Sequence, residues 1–526
     1  TERAFAAEAW PADAPACDPA SGALLGRIEA ISARVVRFTL CRPDAGFPEL
    51  LADPSLGILD AVSIDAIAAD PAAARLVAGA GAYRVTAWIP GTEVHLERTA
   101  ATASPAAAVP TVIFRWDASS ASRTEALRDG SVDGIDAPAA ADAATIETMP
   151  ELALTSRPGL VTAYLGFGGG AQFGPVEVRR AFAKGIDRDA LVRAAFPAGS
   201  IAATHLAPCV VPAGCAGADW YGFDGPAGTA ALDTAGFDRK KPISLSLPDV
   251  PTPGLPDPAG TAAAIVAQLA DSLGVTVTVA TVPAADLAAS IATGRFRGLY
   301  LQGIAAPVSD AAVFLGPLAG TGVASTAATR SEGAGAALDA AAAETVKAAR
   351  EAYLAAASDA IRRAVALVPL ANAGATVAFR ADVKGVRASP SSADTLGSFV
   401  PGDRRQLVFM QAGEPSAAWC GLTADPDTLR LCGLVTPGLY GLARGSSEAV
   451  PALALRCVPD DSATSWSCRL RADARFTDGA MVDAGDVLAT FRALGDRASP
   501  LRRALPADSF AAWDRLFGGP VATAAP

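Results

Sequence analysis

The sequence contains eight cysteines and two histidines, the residue types that most often bind zinc and that act as nucleophiles or bases in many enzymes. The cysteines fall into pairs of near neighbours, and no CxxC motif occurs. This pattern is typical of disulfides, each of which stabilises a fold by roughly 2–4 kcal/mol, and it predicts an oxidising, extracytoplasmic location. Zinc is the alternative, but His95 and His205 lie far apart in the sequence. The expected pairs are Cys17–Cys41, Cys209–Cys215, Cys420–Cys432 and Cys457–Cys468.

Motifs of common enzymes are missing from the sequence. It contains no G-x-S-x-G, no H-E-x-x-H and no Walker A loop. The segment GAGAYR (79–84) starts like a dinucleotide-binding fingerprint but lacks the third glycine. A Ser-His-Asp triad would need His95, which alternates within a predicted strand and should face solvent, or His205, which lies in a predicted loop. We therefore predict no catalytic residue, no metal site and no cofactor.

The composition restricts the class of protein and its partners. A chain of 526 residues with 51% hydrophobic and 18% charged residues fits a globular protein of two or more domains. Its net charge of −11 argues against a nucleic acid or an anionic membrane as binding partner, because the protein would need a basic face to bind either one. No apolar stretch is long enough to span a membrane. The numbering starts without methionine or an apolar leader, so we expect a mature or trimmed chain whose export signal has been removed.

Strands and helices alternate in the middle of the chain. VTAYLGFGGG (161–170) predicts a strand that enters a glycine-rich turn, and a helix pair follows over 176–196. ISLSLP (243–248) opens a β-α-β unit with a helix over about 260–273 and a second strand, VTVTVATV (275–282). This alternation indicates an α/β lobe with a parallel component.

A proline- and serine-rich linker is predicted over 388–405, and a new unit begins beyond it with the strand QLVFM (406–410). The tail contains the motif RLRADARFTDGAMVDAGDVLATF (469–491). There Asp478-Gly479 predicts a turn. A helix starts near Asp483 with Asp486 in its first turn, where the helix dipole favours an anion.

The tail motif resembles the signature of the family-5 extracellular solute-binding proteins, the peptide, dipeptide and nickel-chelate binders of ABC importers. Other segments of the chain resemble motifs of the same family, and together they extend over most of it. They are GAGAYRV (79–85), EALRDGSVDGID (125–136), YLGFG (164–168) with VRRAFAKGIDRDALV (178–192), and LVPLANAGATVAFRADVKGVRASP (367–390).

The order of these motifs differs from the usual order in the family. The tail motif normally precedes the segment similar to GAGAYRV, and QLVFMQAGEP (406–415) resembles the family's opening strand. We interpret the chain as a circular permutant in which 388–405 join the usual termini and 406–526 correspond to the usual N-terminal segment. The alternative is a complete binding protein followed by a fragment of another, but 1–25 contain no second copy of the opening strand.

The resemblance implies a two-lobed, periplasmic-binding-protein-like α/β fold of class II type, with the extra subdomain of peptide binders. We expect lobe I to combine 1–227 with 370–526, lobe II to span 228–369, and the hinge to lie near Gly228 and Pro369. Ligand held in the cleft between the lobes would shift the open–closed equilibrium.

The implied function is the monomeric, extracytoplasmic solute-binding component of an ABC import system, with or without a lipid anchor ahead of Thr1. It would deliver a peptide-like or other small polar solute to permease and ATPase subunits. A ligand-binding sensor that feeds a receptor and a secreted hydrolase are the alternatives.

The resemblance also implies the residues that line the cleft. In peptide binders of the family an aspartate pairs with the ligand's α-amine, and in the corresponding stretch (303–318) only Asp310 remains, three or so residues further on. A helix N-cap is the alternative role for Asp310. Trp419 and Trp220 fit aromatic walls of the cleft or core positions. The predicted ligand-binding residues are Glu414, Trp419, Tyr440, Tyr164, Phe167, Gly168, Gln302, Asp310 and Trp220.

Overall fold

A computed structural model describes residues 7–12, 17, 22–99, 107–157, 159–306, 308–319, 331, 333–392, 394–423 and 425–521. The chain forms two compact units. Unit 1 combines residues 1–155 with 376–526, and unit 2 consists of residues 156–375. None of the described helices combines the length and the apolar character that a membrane span needs.

The first part of unit 1 contains both strands and helices. Its elements are β1 (Glu8–Trp10), β2 (Leu25–Ser32), β3 (Val35–Leu40), α1 (Phe47–Leu51), α2 (Ala61–Ala69), β4 (Tyr83–Ile89), β5 (Glu93–Arg98), β6 (Thr111–Trp116), α3 (Ser120–Asp129), β7 (Gly134–Asp136), α4 (Ala140–Glu147) and β8 (Leu152–Arg157).

Unit 2 follows as one continuous stretch of chain. Its elements are β9 (Val161–Phe167), α5 (Val176–Lys184), α6 (Arg188–Ala195), β10 (Ile201–Ala202), α7 (Gly225–Thr234), β11 (Ile243–Pro248), α8 (Pro258–Leu273), β12 (Val277–Val282), α9 (Ala284–Ala292), β13 (Leu299–Ala305), α10 (Ala311–Leu315), α11 (Ala334–Ala343), α12 (Lys347–Ala364) and β14 (Leu367–Asn372).

The chain then returns to unit 1. The remaining elements are β15 (Ala375–Arg380), β16 (Val383–Lys384), β17 (Val400–Pro401), β18 (Gln406–Gln411), α13 (Pro426–Val435), β19 (Tyr440–Leu442), β20 (Ala449–Pro451), β21 (Ala454–Pro459), β22 (Ser465–Leu470), α14 (Ala484–Gly495), α15 (Pro500–Ala504) and α16 (Ala511–Phe517).

Both large sheets of unit 1 contain strands from the two separate parts of the chain. One sheet has the order β1-β2-β3-β22-β21, and the other has the order β4-β5-β6-β18-β7-β15-β8. Strand β18 runs parallel to β6 over its whole length, with Gln406 opposite Thr111, and it also pairs with β7. Strand β22 pairs with β3, with Trp466 opposite Phe38. The tail beyond residue 405 therefore supplies an interior strand to each sheet.

A six-stranded sheet with the order β10-β14-β9-β13-β11-β12 forms the centre of unit 2. The predicted β-α-β unit is confirmed, because β11 and β12 are parallel and α8 connects them. Local sequence explains the limits of α8: Asp257 caps its first turn, Pro258 occupies its first position, and Gly274 ends it in the left-handed conformation.

The division into units differs from the predicted lobe boundaries. The chain crosses between the units at 155/156 and 375/376, so residues 156–227 and 370–375 belong to unit 2 and not to the part predicted as lobe I. Hydrogen bonding explains the difference, since β9 pairs with both β13 and β14 and cannot be separated from that sheet.

Disulfide bonds join all eight cysteines in neighbouring pairs along the chain. The bridges are Cys17–Cys41, Cys209–Cys215, Cys420–Cys432 and Cys457–Cys468. None of them connects the tail beyond residue 405 to the rest of the protein, so the tail is held in unit 1 by noncovalent contacts and by the chain itself.

Candidate functional site

Tyr164 and Gln302 are neighbours in the central sheet of unit 2. They lie opposite each other in the antiparallel pairing of β9 with β13. The Tyr164 ring meets the Tyr300 ring edge-on, with 6.1 Å between the centroids. Both tyrosines are buried, and burial raises the pKa of each phenol well above its usual value. Both phenols are therefore protonated at neutral pH and can donate a hydrogen bond.

Phe167 and Gly168 follow Tyr164 at the end of β9. The Phe167 ring is buried against Phe173 and Phe182, at centroid distances of 5.5 and 6.2 Å, so it belongs to the hydrophobic core of unit 2. The Gly168 amide donates to the Gly298 carbonyl at 2.8 Å. A Cβ at Gly168 would lie 2.9 Å from the Phe296 carbonyl oxygen, and glycine is what allows this close approach.

Asp310 already has two partners within unit 2. Its carboxylate accepts from the Ala312 amide at 3.0 Å and so caps α10, which is the alternative role considered from the sequence. Arg350 of α12 donates to the other carboxylate oxygen at 2.6 Å. Because Asp310 is 6% exposed, a ligand amine would have to compete with this guanidinium for a buried carboxylate.

Trp220 also lies in the core of unit 2. Its side chain is buried, and its ring meets the Tyr221 ring edge-on at 6.5 Å. The Arg362 guanidinium lies over the other aromatic ring of this pair, 4.3 Å from the centroid of Tyr221.

Glu414 belongs to unit 1 and lies beside an indole that the sequence did not single out. Its carboxylate accepts from Trp88 Nε1 at 3.1 Å and from the Gly91 amide at 3.0 Å. The Arg75 guanidinium lies 5.4 Å from the centroid of the Trp88 ring. The signal that could have identified Trp88 is the Pro90-Gly91 pair just after it, since this pair is typical of a turn, and the turn brings this end of β4 to Glu414.

Trp419 and Tyr440 hold structural contacts in unit 1. The Trp419 side chain is fully buried and its indole donates to the Gly57 carbonyl at 2.8 Å. The Tyr440 hydroxyl accepts from the Cys457 amide at 3.0 Å, so it links β19 to β21. These contacts place Trp419 in the core, one of the two roles that the sequence allowed.

A buried guanidinium is the main charged feature that the sequence did not predict. Arg430 of α13 is fully buried, and it donates to Asp136 at 2.6 Å and to Asp394 and Asp427 at 3.2 Å each. Gln411 Oε1 also accepts from it at 2.8 Å. Burial by itself would lower the pKa of Arg430, but the carboxylates raise it above its usual value. The sequence signal is an arginine inside the apolar run LRLC (429–432).

A cavity of about 500 Å³ lies in unit 1 beside α2, α14 and α15. Its walls include Asp65, Asp483, Asp496, Arg492 and Arg503. None of the residues predicted to bind ligand lines this cavity.

The predicted ligand-binding residues are divided between the two units. Glu414, Trp419 and Tyr440 belong to unit 1, and Tyr164, Phe167, Gly168, Gln302, Asp310 and Trp220 belong to unit 2.

Comparison with solved structures identifies the fold. HbpA2 from Haemophilus parasuis has a TM-score of 0.63 at 24% identity, with 70% of this chain and 74% of that chain covered. The murein tripeptide-binding protein MppA in its unliganded open form has a TM-score of 0.54 at 14% identity, with 69% of this chain and 85% of that chain covered. The dipeptide-binding protein of Pseudoalteromonas sp. SM9913, in complex with Met-Leu, has a TM-score of 0.51 at 20% identity, with 70% of this chain and 74% of that chain covered. No curated protein sequence matches this chain.

These likenesses define a periplasmic-binding-protein-like α/β fold, as expected from the sequence. The family can be stated more narrowly. The family model described as "Bacterial extracellular solute-binding proteins, family 5 Middle" matches residues 7–326, which is more than half of the chain. The protein belongs to this family.

Proposed function

We propose that the protein is the extracytoplasmic solute-binding component of an ABC import system and that its solute is peptide-like. The family match over residues 7–326 is the observation that carries this proposal. Two of the structurally similar proteins are described as a dipeptide-binding protein and a murein tripeptide-binding protein, which supports a peptide as the class of solute. Binding and delivery to a permease, without chemical conversion, is the proposed role.

We also propose that the chain is a circular permutant of the family. The tail motif over 469–491 occurs after the segments that it normally precedes, and it lies outside the part matched by the family model. Strand β18 from this tail nevertheless occupies an interior position of the seven-stranded sheet, between β6 and β7. A fragment appended to a complete protein would not be needed inside that sheet, so the interior position favours permutation.

In this proposal the two chain crossings, at 155/156 and 375/376, act as the hinge that responds to ligand. They fall at the neighbouring strands β8 and β15 of the same sheet. The ligand-binding role of Glu414, Tyr164, Gln302 and Asp310 is part of the proposal.

The test is the thermal stability of the full chain in the presence of di- to pentapeptides and of their N-acetylated forms. A ligand at a hundred times its Kd stabilises the folded protein by about 2.7 kcal/mol, which raises the melting temperature measurably. We expect peptides with a free amine to stabilise the protein more than acetylated ones do. Asp310→Asn should weaken binding in calorimetry, whereas Asp339→Asn, at an exposed position of α11, should leave it unchanged.

Native mass spectrometry of protein purified from its own host provides the second measurement. A co-purified peptide-like molecule would support the proposal. A co-purified solute of another class, with no response to any peptide, would contradict peptide binding but keep solute binding. Absence of both a co-purified solute and a thermal response to peptides, amino acids and sugars would contradict the proposed function itself.

A further inference from the structure

A histidine and two cysteines meet in the loop of unit 2 that connects β10 to α7. His205, Cys209 and Cys215 each offer a metal-ligating atom, and these atoms all lie within 4.8 Å of one another. The imidazole is 3% exposed, whereas both cysteines are exposed to solvent. Two sulfurs and an imidazole nitrogen form a ligand set that suits zinc and copper(I).

The surroundings of His205 orient its ring as in metal-binding histidines. Nε2 lies 3.3 Å from the Gly217 carbonyl oxygen and 3.8 Å from Asp219 Oδ1. Because a carbonyl oxygen can only accept, Nε2 is the donor of this hydrogen bond, and in the neutral ring the lone pair is then on Nδ1. A carbonyl or carboxylate on the distal nitrogen is the arrangement that fixes the tautomer of metal-ligating histidines.

The other ring nitrogen of His205, Nδ1, lies near the sulfur atoms. Nδ1 lies 3.1 Å from Thr204 Oγ1, and this hydroxyl lies 3.6 Å from Cys209 Sγ and 4.0 Å from Cys215 Sγ. The Thr204 hydroxyl therefore lies beside all three ligand atoms, close enough to become a further ligand of an ion that they hold.

Backbone hydrogen bonds hold the loop that carries the two cysteines. The Val211 amide donates to the Pro208 carbonyl at 2.9 Å, and the Gly214 amide donates to the Val211 carbonyl at 2.8 Å. The Trp220 amide donates to the Thr204 carbonyl at 2.7 Å and ties the end of the loop to its start. These bonds do not involve the disulfide, so the sulfurs are expected to stay close together after reduction.

The bridge between these cysteines is the one of the four in which both residues are exposed. In the Cys17–Cys41 bridge only Cys17 is exposed and Cys41 is half-buried, Cys457 is half-buried, and Cys420, Cys432 and Cys468 are buried. A thiolate must contact a disulfide sulfur to attack it, so exposure favours reduction at this bridge. A dithiol supplies the two electrons and two protons, which turn the bridge into two thiols and the dithiol into its own disulfide.

We propose that the Cys209–Cys215 bridge opens by exchange with a dithiol and closes by exchange with a disulfide, and that its reduced form binds a zinc or copper(I) ion through His205 Nδ1 and the two thiolates. Binding displaces the two thiol protons, and solvent or the Thr204 hydroxyl completes the coordination. The oxidised form has no thiolate to offer and does not bind the metal. The site is independent of the proposed transport function, since none of its three ligands belongs to the predicted solute-binding residues.

The experiment uses the full chain under anaerobic conditions, with cobalt(II) as a spectroscopic probe for zinc. After mild treatment with a dithiol, alkylation and mass mapping identify the free cysteines, and circular dichroism verifies the fold. We expect Cys209 and Cys215 to become free first, and the reduced protein to bind one cobalt ion with a sulfur-to-cobalt charge-transfer band. Untreated protein should show no such band.

Variants separate the metal site from unspecific binding by thiols. His205→Ala should weaken cobalt and zinc binding by more than about tenfold, and Cys209→Ser with Cys215→Ser should abolish it. His95→Ala, on β5, and Cys457→Ser with Cys468→Ser are the matched controls and should bind as the wild type does. The proposal is overturned if folded protein with Cys209 and Cys215 free binds no cobalt, if His205→Ala binds as tightly as wild type, or if this bridge resists reduction while others open.

Discussion

A single buried guanidinium links three distant parts of the sequence in unit 1. Arg430 contacts Asp136 from the end of β7, Asp394 from the predicted linker and Asp427 from its own helix. Its guanidinium also lies 5.1 Å from the centroid of the Phe409 ring in the interior strand β18. The side chain therefore joins the tail, the linker and the first part of the chain at one point.

At the residue scale we predict that Arg430→Met lowers the free energy of unfolding by about 3–5 kcal/mol, because Asp136 and Asp394 would keep buried charges without their counterion. Denaturant unfolding at neutral pH measures this loss. Arg471→Met is the matched control, since its pair with Asp473 is solvent-exposed and should contribute no more than about 1 kcal/mol. Equal losses in the two variants would show that the buried network does not stabilise the fold.

At the scale of elements, the segment GAGAY packs directly against the end of helix α13. The Gly81 amide donates to the Val435 carbonyl at 2.9 Å, and the Gly79 carbonyl accepts from the Thr477 amide at 2.9 Å. A Cβ at Gly79 or Gly81 would overlap the backbone carbonyl oxygens of Val435 or Leu434. The close approach of two backbones therefore explains these glycines, and a role in dinucleotide binding is not needed to account for them.

We predict that Gly81→Ala destabilises the protein by about 1–3 kcal/mol, because the backbone of α13 must move to admit the methyl group. Gly433→Ala, within α13 itself, is the control: nothing lies within 4 Å of the added Cβ, and alanine should stabilise the helix by about 0.5–1 kcal/mol. Thermal unfolding of both variants measures the two effects. The packing explanation fails if both substitutions shift stability in the same direction.

At the scale of the whole molecule, the tail completes the fold of unit 1. Strands β18 and β22 occupy interior positions of two sheets, and no disulfide links 406–526 to the remainder. Deleting these residues would expose the hydrogen-bonding edges of β6, β7 and β3 together with the core that they cover.

We therefore predict that a protease site inserted at 402–403, in an exposed turn of the linker, gives two fragments that stay associated until denaturant is added. In the fragment 1–405 expressed alone, unit 1 should fail to fold, as measured by circular dichroism relative to the full chain and by rapid proteolysis within 1–155, whereas unit 2 keeps all its strands. A fragment 1–405 that folds cooperatively and keeps the full solute affinity would contradict both the interior role of the tail and the permutation.

Much of the local structure could be predicted from the sequence. The β-α-β unit over 243–282 and the strand over 161–167 agree with the structure. The helix predicted near Asp483 begins there with a capping box, in which Asp483 and Asp486 bond to each other's backbone amides. These features depend on periodicity and on residues three or four positions apart, which a sequence displays directly.

Only the tertiary structure decided the rest. The contacts of Arg430 with Asp136, of Glu414 with Trp88, and of Tyr164 with Tyr300 join residues that lie more than a hundred positions apart, and no periodic pattern encodes such contacts. The limits of the units depended in the same way on the pairing of β9 with β13 and β14. The sequence alone determined the family, the α/β class and the ends of several elements, because these depend on motifs and on local backbone preferences. Long-range pairing decided which side chains meet, because that depends on how the strands and helices pack.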